Sequence, residues 1–445
     1  MAADKDTIRK VGHLLRRAGF GATPDELQSY AGKGLDATIS DLVDYEHKPD
    51  DFDATLQKVQ GGLLDLHNLE DVQTWWLYRM LHTTRPLEEK LTLFWHGHFA
   101  TAQYKVNNAL FMHNQNQTLR QYATGNFKDL VTAIAKDPAM LVWLDGNTNR
   151  KGAPNENFAR EMMELFTLGI GNYSEDDVKA GARAFTGWNL NYLKGQFVFN
   201  QNQHDNAVKA FRGISGKLNG DDVIANVVAD PATAKRLATK LFAFFAYDDP
   251  EPQVVQPFAD LYVKNKYEIK PVVRAILSSD AFYSDKSFTN HVKSPIEYVL
   301  GTVKQLAGQV RERSLIPSLK QLGQEPYNPP NVAGWDGGPS WLDAATVVTR
   351  FNFGGLLAAA VKGAPSLTGG GYIDPEAMVQ KLATKSWDAV IDLFGTSLTG
   401  GLSDATRQAL QAYTAKAPNL TPQTLDTKLR GLLHLMMVSP EYQVA

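Results

Sequence analysis

Thr23-Pro24-Asp25-Glu26 is the stretch on which the fold class turns. A capping hydroxyl stands before proline at the first helical position, and a carboxylate follows in the first turn, where it complements the partial positive charge of a helix start. The spacing predicts a helix running from here towards Asp44. The same grammar recurs at Ser174-Glu175-Asp176-Asp177, which leads Val178, Ala182, Phe185 and Trp188 along one stripe. Residues 231–247, 252–264, 270–279 and 295–306 read as a rhythm of largely proline-started helices. Trp75, Trp76, Tyr78 and Leu81, then a turn at 83–86, then residues 87–94, read as two antiparallel helices.

Strand signals are sparse. Residues 188–192 and 196–200 alternate around Lys194-Gly195 and predict one β-hairpin, which must lie on the helices because an isolated hairpin is marginal in water. The pattern weakens between His47 and Gly61, with Lys48-Pro49-Asp50-Asp51 as a solvated loop. Residues 323–339 break the helical rhythm with prolines and glycines, a helix is expected over 341–361, and Ser366 to Gly371 reads as a flexible joint. The expected architecture is mainly α, an orthogonal or bundle-like array with one hairpin. Residues 1–365 form a main helical domain, and 372–445 a C-terminal helical region packed on the same core.

Composition bounds the chemistry. The 445 residues contain no cysteine, so disulfides, zinc-thiolate sites, thiol nucleophiles and cysteine-ligated clusters are excluded, and any metal must be held by His, Asp or Glu. A formal net charge of −3 offers no general attraction to nucleic acid, and no apolar run approaches the roughly 18 to 20 residues of a membrane span. Residues 1–17 lack the apolar core of a secretory leader, which fits either a cytoplasmic chain or a mature exported one.

Three constellations carry candidate chemistry. In Phe94-Trp95-His96-Gly97-His98-Phe99, His96 and His98 reach one metal if Gly97 breaks the helix and the segment extends; in a continuing helix they point about 200° apart and cannot. The plain alternative is one imidazole at a helix C-terminus and one in the core. In Asn157-Phe158-Ala159-Arg160-Glu161-Met162-Met163-Glu164, the two glutamates share a face with Asn157, suited to a cation or to an acid and base pair; a solvated acidic face beside Arg160 is the alternative. His204-Asp205 with Lys209 supplies a ligand, a base and an anion contact, or is simply a polar turn. Residues 327–338 form a rigid aromatic loop, in which Trp335 either faces a sugar ring or packs inward.

Taken together, His13-Leu14-Leu15-Arg16-Arg17-Ala18-Gly19-Phe20-Gly21, the Phe94 to Phe99 motif, the segment from Asn157 to Gly169, Ala184-Phe185-Thr186-Gly187-Trp188, His204-Asp205 and Pro329-Pro330-Asn331-Val332-Ala333-Gly334-Trp335 resemble the bacterial domain-of-unknown-function family numbered eighteen hundred. The resemblance spans nearly the whole chain. It implies an exported location and a partner from a sulfatase- or phosphatase-like family, but no established reaction. Members often carry His where this chain has Phe166, so a ligand at that position elsewhere is lacking here.

The expected activity is hydrolysis of a polar, carbohydrate-like small molecule or polysaccharide in a His/Glu cleft. Glu161, Glu164, His98 and Asp205 are the candidate catalytic groups. Arg160, Lys209, Asn157, Trp188 and Trp335 are the candidate substrate contacts, and His96, His98, Glu161, Glu164 and His204 the candidate ligands of a divalent metal. Two further expectations stand beside it: a non-haem metal-dependent oxidoreductase on the same groups, and a non-catalytic binding or scaffold protein for cell-surface polymer.

Overall fold

The computed structural model describes residues 3–50, 64–363, 371–382, 386–416 and 422–445. Helices make up 63% of the structure, against two small two-stranded antiparallel sheets, so the chain is mainly α. The helix starts form as the sequence predicts. Thr23 and Glu26 close a reciprocal capping box, with Thr23 N donating to the Glu26 carboxylate at 2.8 Å, and Ser174 and Asp177 close a second. The helix from Thr23 does not run through to Asp44, however. Gly34, at φ +87, divides it into Pro24–Lys33 and Leu35–Val43, because glycine enters the left-handed region without the cost a Cβ imposes.

Leu69–His82 and Pro86–His98 are joined by a short turn. They are buried almost all round, and this explains their aromatic content. Trp76 and Trp95 are fully buried, and Trp95 Nε1 donates to the Ala123 carbonyl at 2.9 Å; truncating such a side chain costs about 3–5 kcal/mol. The hairpin pairs Trp188–Asn191 with Gln196–Phe199, Trp188 opposite Phe199 and Asn191 opposite Gln196. A second hairpin, Lys209–Phe211 with Ile214–Gly216, has strands too short for alternation to reveal.

One contiguous core runs from Val11 to Tyr442, so the described part of 372–445 shares it with the rest of the chain. Tyr442 donates its hydroxyl to Thr302 Oγ1 at 2.8 Å, and Val444 bridges to Val292. The joint expected at Ser366 to Gly371 lies, but for Gly371, outside the described residues, as does Asp51 of the expected loop.

Candidate functional site

Four distant segments meet around the C-terminal end of Pro86–His98. The first is that helix end itself. It does not break at Gly97: the helix continues to His98, so the two imidazoles leave on different sides. His96 Nε2 accepts the backbone N–H of Tyr327 at 3.1 Å, and its ring stands edge-on to Trp76; burial holds its pKa down at about 3. His96 therefore anchors the aromatic loop.

His98 turns the other way, among Phe94, Trp95 and Phe99. Its Nε2 lies 3.0 Å from the Phe166 carbonyl, an acceptor only, which places the ring proton on Nε2 and leaves the Nδ1 lone pair free. Burial, and then the charge of Lys240, keep this imidazole neutral by lowering its pKa well below the usual value. The Lys240 ammonium donates to Nδ1 at 3.4 Å.

Lys240 comes from the second segment, the helix Pro231–Phe245. Arg17 fixes that helix's end, with Nε and Nη2 each donating at 2.6 Å to the carbonyls of Phe245 and Ala246. Such capping satisfies carbonyls that the helix itself leaves unpaired, and it sets Asp248 just beyond. Burial first, and the Arg236 charge second, bring the Lys240 pKa down to about 8.

The third segment, around His291, is pinned by the C-terminal residues: Lys293 N donates to the Gln443 carbonyl and Ala445 N to that of His291, both at 2.9 Å. Buried Glu297 accepts from Lys90, from His291 Nε2 at 2.9 Å and from Ser294 N at 2.8 Å. Desolvation works to raise its pKa, but Lys90, His291 and Arg17 together overcome it and keep the carboxylate well below the ordinary range.

The fourth segment is the loop that closes the space. Gly334 has φ +84, and a Cβ there would lie 2.3 Å from the Gly97 carbonyl oxygen, so only glycine allows the loop to settle on the helix end. The result is a cleft of about 290 Å³ with Trp335 and Trp341 as aromatic walls, Lys240 and His98 on one side, and Asp248 and Asp336 among the remaining polar groups. Trp335 Nε1 is buried and has no hydrogen-bond partner among the described residues.

A second, larger cavity of about 790 Å³ adjoins, and Lys240 borders both. Its wall includes Glu164, on a π-helical turn, Met162–Phe166, that follows the short helix Asn157–Glu161. Such turns insert a residue into the helical register and often mark functional positions. Here the turn ends at Thr167 and leaves the Phe166 carbonyl free to orient His98. Glu164 Oε2 accepts the Tyr173 hydroxyl at 2.5 Å. Half-buried Glu161 has its pKa raised by burial and then by Glu164.

The other residues expected at a site are engaged elsewhere. His204 Nδ1 donates to the Thr186 carbonyl at 2.8 Å, and Asp205 accepts from Arg183 Nε at 2.7 Å. Lys209 is buried with its ammonium on the Asp205 and Ala207 carbonyls, a turn clamp rather than an anion contact. Arg160 pairs with both oxygens of Glu175, at 2.6 and 2.8 Å, and Asn157 reaches Asp145 at 3.4 Å. Trp188 packs edge-on to Phe185 and Phe197 in the core. The expected metal set of His96, His98, Glu161, Glu164 and His204 is therefore not assembled: the histidines diverge, each committed to a backbone group, and no three His, Asp or Glu side chains among the described residues converge on one point. Lys240, Arg236, Asp248 and His291 were not legible as site residues, since their partners lie far off in sequence.

The structure thus defines a mainly α protein with a small aromatic-walled, mixed-charge cleft built where its sequence motifs meet. The family described as "Protein of unknown function (DUF1800)" matches residues 13–444, and the chain belongs to that family. No curated protein and no solved structure matches it.

Proposed function

We propose that the protein is a hydrolase acting on a polar, carbohydrate-like substrate in the cleft beneath Trp335, with Lys240 as its proton-transfer group. The observation that carries this is the Lys240 and His98 pair at the cleft wall: an amine whose proton affinity burial has brought near working pH, held against the lone pair of a neutral imidazole. A general acid or base works best when its pKa lies near the operating pH, and such positioned groups contribute roughly 10²- to 10⁴-fold. Trp335 and Trp341 offer faces for a sugar ring, and Asp248 supplies a carboxylate to orient water. Glu161 and Glu164 border this arrangement through the adjoining cavity rather than forming its centre.

The test is turnover of a panel of chromogenic glycosides and sugar esters. Lys240→Met should lower kcat about 100-fold or more at constant fold, and Trp335→Ala should mainly raise KM. Unchanged turnover in Lys240→Met overturns the assignment. A second reading, saccharide binding without chemistry, is favoured by the unpartnered Trp335 Nε1, which a sugar hydroxyl would satisfy as acceptor. Oligosaccharide-dependent quenching of Trp335 fluorescence, with no turnover of any panel member, would select it. We also propose, on the family resemblance, that the protein acts outside the cytoplasm; fractionation of the native host reads this.

A further inference from the structure

The cavity beside the cleft is lined by three cations, Lys235, Arg236 and Lys240, of which Arg236 and Lys240 are partly withdrawn from water. Arg236 and Lys240 stand four residues apart on Pro231–Phe245, one turn apart on the same face, and both line the cavity. Among the described residues neither forms an ion pair with a carboxylate; Glu164 acts on Arg236 only through space. Arg236 Nη2 donates to the Leu165 carbonyl at 3.2 Å, while its Nε is buried and unpartnered. Among the described residues Lys240 has only His98.

Two carboxylates, Glu164 and Asp260, share this wall, and each turns one oxygen to a neutral donor rather than to the cations. Glu164 Oε2 holds the Tyr173 hydroxyl, and Asp260 accepts from Gln256 at 2.8 Å. Gly169, at φ +85, lies against the guanidinium, where a Cβ would stand 3.2 Å from Nη1, so the backbone makes room for the arginine at this wall. Adjacent like charges without counterions are unfavourable in a partly desolvated site, and an entering oxyanion would relieve them with charge-assisted hydrogen bonds.

We propose that Arg236 and Lys240 form an anion subsite, and that the substrate of the neighbouring cleft carries a carboxylate, sulfate or phosphate substituent seated there. The second half rests on the reading of the Trp335 cleft as the substrate site; the first half stands without it. Because Lys240 borders both spaces, a sugar ring against Trp335 and an acidic substituent against Arg236 belong to one ligand.

The test is acetylation of Lys240 by acetic anhydride in the full chain, followed by peptide mass spectrometry, at ionic strength held constant with sodium chloride. Inorganic phosphate, inorganic sulfate, glucuronate and glucose are the probes. Saturable protection of Lys240, about tenfold for a good bidentate contact, is expected from at least one anion and none from glucose. Protection by phosphate or sulfate alone assigns an ester substituent, and by glucuronate alone a uronate. Arg236→Gln should abolish the protection while Arg236→Lys retains part of it. If no anion protects beyond chloride, if glucose protects equally, or if Arg236→Gln of unchanged circular dichroism remains protected, the subsite is overturned. Absence of turnover on any glycoside with protection intact would sink the hydrolase instead.

Discussion

The turn at His204-Asp205 and the wall at Lys240 are built from the same residue types, yet they do opposite things with them. In the turn, each polar group finds a partner within the chain: His204 on Thr186, Asp205 on Arg183, Lys209 on two carbonyls. At the wall, Lys240, Arg236 Nε and Trp335 Nε1 are left under-used, although all three are partly or wholly withdrawn from water. Polar groups that satisfy each other rigidify a fold, whereas buried polar groups left unsatisfied cost stability unless something else answers them. Residue type and local spacing do not separate the two cases; the partner count does.

That contrast breaks first at its most buried satisfied cluster. Glu89 is fully buried and accepts from Arg79 at 2.6 Å, Arg120 at 2.5 and 2.8 Å and Trp76 at 3.0 Å. Glu89→Gln should cost about 3–5 kcal/mol in chemical denaturation, because it removes the buried carboxylate that Arg79 and Arg120 share, although Arg79 keeps Asp50; a loss below about 1 kcal/mol would show that the network is dispensable. Asp205→Asn removes a partly exposed pair and should cost only about 1 kcal/mol, with turnover unchanged. A loss of activity without loss of stability there would restore Asp205 to the site.

Lys240→Met should show the smallest effect and the opposite sign. The folded pKa of Lys240, near 8, lies below the unfolded value of about 10.4, so between those values the unfolded chain binds more protons and wild-type stability rises with pH. At pH 7 the variant should be the more stable protein, by no more than about 1 kcal/mol after solvent screening. The gap should close as the pH climbs from 8 towards 10.4. Denaturation midpoints across that range check it, and a variant less stable than wild type at pH 7 would mean that Lys240 is a structural clamp after all.

Much of the fold was legible because its signals are local. A hydroxyl, proline and carboxylate at Thr23 to Glu26 act within one turn, and the hairpin's alternation needs only a dozen residues. Gly34 and Gly97 show the limit. Both are glycines in helical surroundings, but one ends its helix and the other does not, and what matters near Gly97 is its carbonyl against Gly334, more than two hundred residues on. The candidate site was half legible for the same reason. The motifs bearing His98 and Trp335 stood out by composition, and both line the cleft. Lys240 did not, since a lysine on an amphipathic helix is ordinary until His98 and Arg236 are seen beside it. Asp205 and Arg160 misled because local charge patterns do not reveal that Arg183 and Glu175 have already claimed them.

The shared wall at Lys240 makes the two chambers communicate. An occupant that fixes a proton on this amine from one side alters the charge presented to the other, and by linkage the influence is mutual: whatever factor the acidic group adds to the affinity for the ring, the ring returns to the acidic group. On the proposed binding mode, a single side chain turns the two recesses into a coincidence detector for a ligand that carries both chemical features at the right separation.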